Sequence, residues 1–105
     1  MEKKISIIIP IYNGEKYLEK LVKKIKKQKG IFEIELIALV TTSKDKSLEL
    51  SKKLFDKVIE IKKFNHGKTR HKGALSATGD ILVFITQDIL PYDEYWLKNL
   101  VEPLN

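Results

Sequence analysis

Three short segments hold the side chains able to do chemistry. The densest is Phe64-Asn65-His66-Gly67-Lys68-Thr69-Arg70-His71, which opens a helix expected from Lys68 to Thr78. Free N–H groups and the helix dipole favour phosphate at such a position, and Lys68 and Arg70 add charge. A solvated helix start is the ordinary alternative. His66 and His71 lie neither at i, i+4 nor beside further ligands, so zinc is not expected. The second segment, Thr86-Gln87-Asp88, offers one carboxylate. A hard cation takes one or two protein carboxylates and fills its shell with water and substrate phosphates, so Asp88 alone suffices for a metal–diphosphate site. Taken by itself, an aspartate in such a loop is more often a cap or turn residue. The third, Pro10-Ile11-Tyr12-Asn13-Gly14, places Tyr12 where it could lie beside a nucleobase, although Asn13 as a helix cap and Tyr12 as a packing residue is the simpler account. It has neither Gly-x-Gly-x-x-Gly nor a Walker lysine, which excludes dinucleotide-dependent dehydrogenases and P-loop ATPases. No Ser, His and acid constellation can be given roles from spacing.

The elements that must position these segments follow from hydrophobic periodicity. Ile5 to Ile9 is an apolar, β-branched run stopped by Pro10, the pattern of a strand buried on both faces. Asn13 is expected to cap a helix whose Tyr17, Leu18, Leu21, Val22 and Ile25 form one apolar face, ended by Gly30. Ile34 to Val40 reads as a second strand. Ser43 or Asp45 then caps a short helix carrying Leu48, Leu50, Leu54 and Phe55. Lys57 to Ile61 is strand three, and after the Lys68–Thr78 helix Asp80 to Thr86 is strand four. A last helix, Asp93 to Val101, buries Trp96, Leu97, Leu100 and Val101. This alternation predicts an α/β fold: an open, Rossmann-like parallel sheet with helices on both faces, built from right-handed βαβ units. With strand order 3-2-1-4 the winding reverses between strands one and four, and ligands bind outside the carboxyl ends at that reversal. The loops opening there begin at Pro10 and Gln87.

Composition narrows the partners. The 105 residues make room for one domain, and 43% hydrophobic with 32% charged residues marks an ordinary globular chain. Absence of cysteine excludes a disulfide scaffold, a thiolate metal site and a cysteine nucleophile. No run approaches the roughly 18 apolar residues of a membrane span, and no signal peptide is read at Met1 to Lys4, so a cytoplasmic location is expected. The net charge is +6, yet Arg70 is the one arginine against nineteen lysines. Nucleic-acid readers rely on arginine for bidentate contacts, so nucleic acid is not expected as a partner. Scattered lysine mostly solubilises, while the field still attracts an anionic small ligand or an anionic membrane surface, leaving peripheral membrane association open.

Ile5 to Asn13 (ISIIIPIYN), Phe64 to Ala74 (FNHGKTRHKGA) and Thr78 to Pro91 (TGDILVFITQDILP), in this order and spacing, resemble the amino-terminal half of family 2 glycosyltransferases of the GT-A fold. The second and third segments resemble the rhamnosyltransferase-like subset, and the resemblance covers nearly the whole chain. It implies a nucleotide-sugar-binding domain over residues 1–105. Pro10, Tyr12 and Asn13 would border the nucleotide, with Thr41 and Ser43 in the following loop. Lys68 and Arg70 would approach the pyrophosphate, and Gln87 and Asp88 would complete the site. Asp88 is then the retained acid of the metal-binding Asp-x-Asp motif, holding Mg²⁺ or Mn²⁺. Thr86 stands where that motif's first Asp is usual, Val40 and Thr41 where one or two acids usually hold the base, and His71 where Asn is common.

The function implied is the donor-binding half of an inverting, metal-dependent glycosyltransferase of polysaccharide biosynthesis, acting from a nucleoside-diphosphate sugar on a glycan or other acceptor. The acceptor-binding half and catalytic base of the family are expected beyond Asn105, so this chain alone is expected to be inactive. A non-catalytic nucleotide-binding or protein-interaction module of the same fold is the alternative, favoured by the missing strand-two acids. A receiver-type phosphoacceptor is disfavoured, because Pro-Ile-Tyr-Asn replaces an acidic pair after strand one. Strand four is expected to present an open edge whose uncharged Ile81-Leu82-Val83-Phe84-Ile85 pairs two copies.

Overall fold

The computed structural model describes residues 3–63, 65–91 and 93–104, so Phe64 and Asn105 fall outside it. From Ile5 to Ile9 the first strand, β1 (Lys3–Ile11), is buried on both faces, as its unbroken β-branched run demands of a central strand. β2 (Phe32–Thr41) pairs with it in parallel on one side and β4 (Ile81–Phe84) on the other, while β3 (Lys57–Ile61) pairs with β2. The order β3-β2-β1-β4 is the one expected from the sequence.

Pro10 does not stop β1. The carbonyl of Ile8 accepts from Ile85 N on the β4 side, and in a parallel strand Pro10 faces the same way. The β4 ladder ends opposite Ile8, so the missing N–H of Pro10 costs no rung. β4 is likewise shorter than Asp80–Thr86. Asp80 and Ile85 each donate one bond to β1, and at Thr86 the chain turns away.

One face of the sheet is covered by α1 (Glu15–Lys26), α2 (Ser47–Leu54) and α4 (Trp96–Val101), which pack Leu18, Leu21, Ile25, Leu48 and Leu97 around Ile5, Ile7 and Ile9. The opposite face presents Ile8, Ile37, Leu39 and Ile61 to α3 (His66–Ser76). α3 has little apolar surface of its own, and Leu75 is 73% exposed. It closes on the sheet through Gly73, where a Cβ would sit 2.8 Å from Ile8 Cγ2 and 3.0 Å from Leu39 Cδ1. That close approach explains a glycine inside a helix.

Five helix boundaries differ from expectation. α1 closes at Lys26, with Lys27 at its cap, before Gly30 is reached. Asn13 does not cap α1; it lies in the left-handed region at φ 50°, and Gly14 takes the cap position. α3 starts at His66, because Asn65 is extended and its side chain accepts from Lys68 N at 3.0 Å. It ends at Ser76, where Ala77 turns extended. α4 starts only at Trp96, with Asp93 Oδ1 accepting from Tyr95 N in the preceding turn. Leu97 and Val101, one turn apart, take its inward face and leave Leu100 46% exposed rather than buried.

At the amino edge of the sheet a polar knot ties the layers together. Glu35 of β2 is buried; its Oε1 accepts from Ser6 Oγ at 2.8 Å and Thr78 N at 2.9 Å, and its Oε2 from Thr78 Oγ1 at 2.9 Å. Ser6 Oγ in turn accepts from Gly79 N at 2.8 Å, and Lys57 Nζ lies 3.3 Å from Glu35 Oε2. Burial pushes the Glu35 carboxyl up, but the Thr78 amide, the Ser6 and Thr78 hydroxyls and Lys57 outweigh it and hold it at about 2, against 4.5 ordinarily. A depressed native pKa stabilises the fold fully above the unfolded value and loses that contribution as pH falls from about 4.5 towards 2. Urea unfolding at pH 7, 4 and 2.5 is expected to show wild type losing stability over this window. Glu35→Gln is expected to start about 1–3 kcal/mol lower at pH 7 and to lose less on acidification.

Candidate functional site

All four strands point their carboxyl ends to one edge, where the chain passes from strand to helix, and the winding reverses there between β1 and β4. A cavity of about 620 Å³ opens at this reversal. Of the residues expected from the sequence, Pro10, Tyr12, Thr41, Gln87 and Asp88 line it, joined by Ile11, Tyr17 and Thr86. Tyr12 is 57% and Tyr17 45% exposed, so two phenol rings stand unburied at the mouth. Flat aromatic faces beside an aliphatic floor suit a planar heteroaromatic ring. Tyr17 reads in the sequence as part of the core face of α1. Its first-turn position, at the margin of the buried stripe, is the signal that places it in the crevice.

Asn13, Ser43, Lys68 and Arg70 do not line the cavity. Asn13 is exposed, and the Ser43 hydroxyl donates to Asp45 Oδ1 at 2.9 Å. Lys68 is exposed in the first turn of α3. Arg70 lies with its guanidinium 5.3 Å from the centre of the Phe84 ring, a cation–π contact of about 0.5–1 kcal/mol at an exposed site. The phosphate-attracting start of α3 therefore opens at the carboxyl edge without contributing a wall of the cavity.

Asp45 takes a structural place. Its Oδ1 also accepts from Ser47 N at 3.0 Å and its Oδ2 from Glu15 N at 3.1 Å, while Ser47 Oγ accepts from Gly14 N at 2.8 Å. The β2–α2 loop thus caps its own helix, as expected, and also the start of α1, which Asn13 leaves uncapped. Burial pushes the Asp45 carboxyl up, but the Ser47 hydroxyl and amide, the Glu15 amide and the Ser43 hydroxyl hold it at about 2. It stays ionised and committed to this knot.

Gln87 and Asp88 lie side by side with different tasks. Gln87 Oε1 accepts from Tyr12 N at 3.0 Å and its Nε2 donates to Tyr12 O at 2.7 Å. Asp88 is exposed, and its Oδ1 accepts from Thr86 Oγ1 at 2.8 Å. Among the described residues no three His, Cys, Asp or Glu gather into a metal cage. One carboxylate braced by a hydroxyl at the mouth of a cavity fits a hard cation that draws its other ligands from phosphate and water.

The family model described as glycosyl transferase family 2 matches residues 6–105. An O-antigen chain rhamnosyltransferase of Salmonella typhimurium is 36% identical over 102 residues, covering 93% of this chain and 32% of that protein. A 4,4'-diaponeurosporenoate glycosyltransferase of Staphylococcus haemolyticus is 30% identical over 105 residues, covering 93% of this chain and 28% of that protein. The chain therefore spans about a third or less of the length of these relatives. Among solved structures, TarS 1-349 of S. aureus in complex with UDP-GlcNAc superposes with a TM-score of 0.77 at 26% identity, over 94% of this chain and 30% of that one. A mannosyltransferase of Pyrobaculum calidifontis in complex with GDP-Man and Mn²⁺ reaches 0.85 at 19% identity, over 97% and 32%, a likeness of fold alone. A family match across nearly every residue, on a sheet of this order with its cavity at the winding reversal, shows that the chain belongs to glycosyl transferase family 2 and has the GT-A fold.

Proposed function

We propose that this chain binds the donor of an inverting glycosyl transfer, a nucleoside-diphosphate sugar. The observation that carries the reading is the cavity itself, whose lining brings Tyr12 and Tyr17 together with Asp88. The base lies against the phenol rings, and the diphosphate runs towards Asp88. Lys68 approaches the diphosphate from the first turn of α3 and Arg70 from the start of the second, Arg70 exchanging its contact with the Phe84 ring for a charge-assisted one. Asp88 would hold Mg²⁺ or Mn²⁺, which would supply charge neutralisation for the departing nucleoside diphosphate. Asp88 is the one carboxylate lining the cavity among the described residues, so this chain serves the leaving group and leaves the acceptor hydroxyl without a base. The relative that joins rhamnose to O-antigen chains supports a glycan acceptor.

A donor-binding module without catalysis remains the second reading, favoured by Thr41 on the base side and by the full engagement of Asp45 in holding loops.

Calorimetric titration with UDP and GDP, each with and without Mn²⁺, tests the proposal. Binding of one of them is expected to tighten with Mn²⁺, and Asp88→Asn is expected to lose at least about tenfold of that metal-dependent affinity, roughly 1.4 kcal/mol. Silence towards both nucleotides in the presence of Mn²⁺ would overturn the reading. Arg70→Ala is expected to weaken diphosphate binding, whereas Lys27→Ala, at the exposed position just after α1, is not. Equal losses would mean that only the general positive field attracts the ligand.

The same chain is proposed to associate through β4, which among the described residues pairs only with β1 and carries no charge from Ile81 to Phe84. Val83 is buried and Leu82 is 40% exposed, so Leu82→Lys tests the edge without breaking the core. Sedimentation across a concentration series is expected to show a dimer that this variant loses; a wild-type chain monomeric throughout would contradict it. Peripheral membrane association is assigned to the outer face of α1, where Lys16, Lys20, Lys23 and Lys24 are exposed, with Lys27 exposed just beyond its end.

A further inference from the structure

We infer that Gln87 is a positioning residue whose carboxamide acts as a strut between the two walls of the crevice, so that a cation at Asp88 and a nucleotide at Tyr12 tighten each other's binding. The inference rests on the donor-binding reading and adds a residue-level cause of coupling within the site.

The geometry is that of a missing sheet rung. Tyr12 follows the last residue of β1, and its N–H and C=O face the side on which β4 has already turned away. The Gln87 amide takes the place of that absent strand, with one donor and one acceptor on the backbone of a single residue, at 2.7 Å and 3.0 Å. Gly14 makes room for it: a Cβ there would sit 2.6 Å from Gln87 Oε1 and 3.3 Å from Cδ. Immediately after Tyr12 comes Asn13 at φ 50°, a conformation that is uncommon outside glycine and needs its surroundings to hold it. The strut supplies part of that hold. Because Asp88 is the next residue after Gln87, Tyr12 and Asp88 cannot shift independently without breaking two hydrogen bonds. Glutamate cannot substitute, since a carboxylate has nothing to donate to the Tyr12 carbonyl and repels it.

The test uses the whole 105-residue chain as wild type, Gln87→Ala, Gln87→Glu, Gly14→Ala and the Gly14→Ala/Gln87→Ala double variant. Amide hydrogen exchange without ligand reads the strut directly. In Gln87→Ala the Tyr12 amide is expected to exchange at least about tenfold faster, while core amides such as Ile8 are unchanged. The coupling is read as the factor by which Mn²⁺ tightens UDP or GDP. That factor is expected to fall at least about fivefold in Gln87→Ala, Gln87→Glu and Gly14→Ala, with the double variant no worse than the single ones because both break the same contact. Unchanged Tyr12 exchange in Gln87→Ala overturns the strut. An unchanged Mn²⁺ factor, or losses that add in the double variant, overturns the coupling. A wild-type chain that binds neither nucleotide overturns the donor-binding reading and the coupling with it, while the exchange measurement still decides the strut.

Discussion

The double-sided burial of β1 is the constraint on which everything else depends. Ile5, Ile7 and Ile9 face one layer of helices and Ile8 the other, and neither set can be exposed without giving up about 1.5–3 kcal/mol per side chain. Both faces of the sheet must therefore carry helices, and the backbone N–H and C=O groups of so buried a strand must be paired on both edges, by β2 and β4. Right-handed crossovers then place β2 on one flank and β4 on the other, which turns the winding around at β1 and splays the loops that follow β1 and β4. The cavity is the consequence of an apolar strand with no exposed face.

Polar knots at the two ends of the sheet hold this arrangement in register. At the amino edge Glu35 gathers β1, β2, β3 and the turn after α3 around one ionised carboxylate. At the carboxyl edge Asp45 binds the starts of α1 and α2 together, and Gln87 binds the loop after β4 to the loop after β1. The first knot stabilises a fold; the second also fixes the walls of a site. Buried or half-buried groups of this kind are costly unless every donor meets an acceptor, which is the condition both knots meet.

Much of the fold was legible because it is written in local periodicity. The β-branched run at Ile5 to Ile9, the stripe from Leu18 to Ile25 and the alternation of strands and helices predict a parallel sheet with helices on both faces, while its order β3-β2-β1-β4 follows from the resemblance to the GT-A fold. Five of the eight residues lining the cavity were legible too, since Pro10, Tyr12, Thr41, Gln87 and Asp88 occupy the loops that such a sheet brings together. The cap at Asn65 is signalled by its residue type alone, because its side chain accepts from the backbone N–H of Lys68 whatever side chain stands there. The knots were out of reach for a different reason: Glu15 and Asp45 are 30 positions apart, Glu35 and Thr78 are 43, and Tyr12 and Gln87 are 75. No local pattern announces a hydrogen bond across such separations, so Asp45 read as a simple cap and Gln87 as a ligand contact. The contact between Arg70 and the Phe84 ring is equally out of reach, since periodicity says nothing of a ring on another element.

The central claim is that a metal–diphosphate binds where the winding reverses, on Asp88. Paramagnetic broadening of backbone amide signals by Mn²⁺ in the presence of UDP or GDP tests it most directly. The account predicts that broadening is strongest at Thr86, Gln87 and Asp88, extends to Tyr12 and Asn13, requires the nucleotide, and spares Ser6, Glu35 and Thr78 at the far edge of the sheet. Broadening centred elsewhere, or spread over other carboxylates with no need for nucleotide, would contradict it.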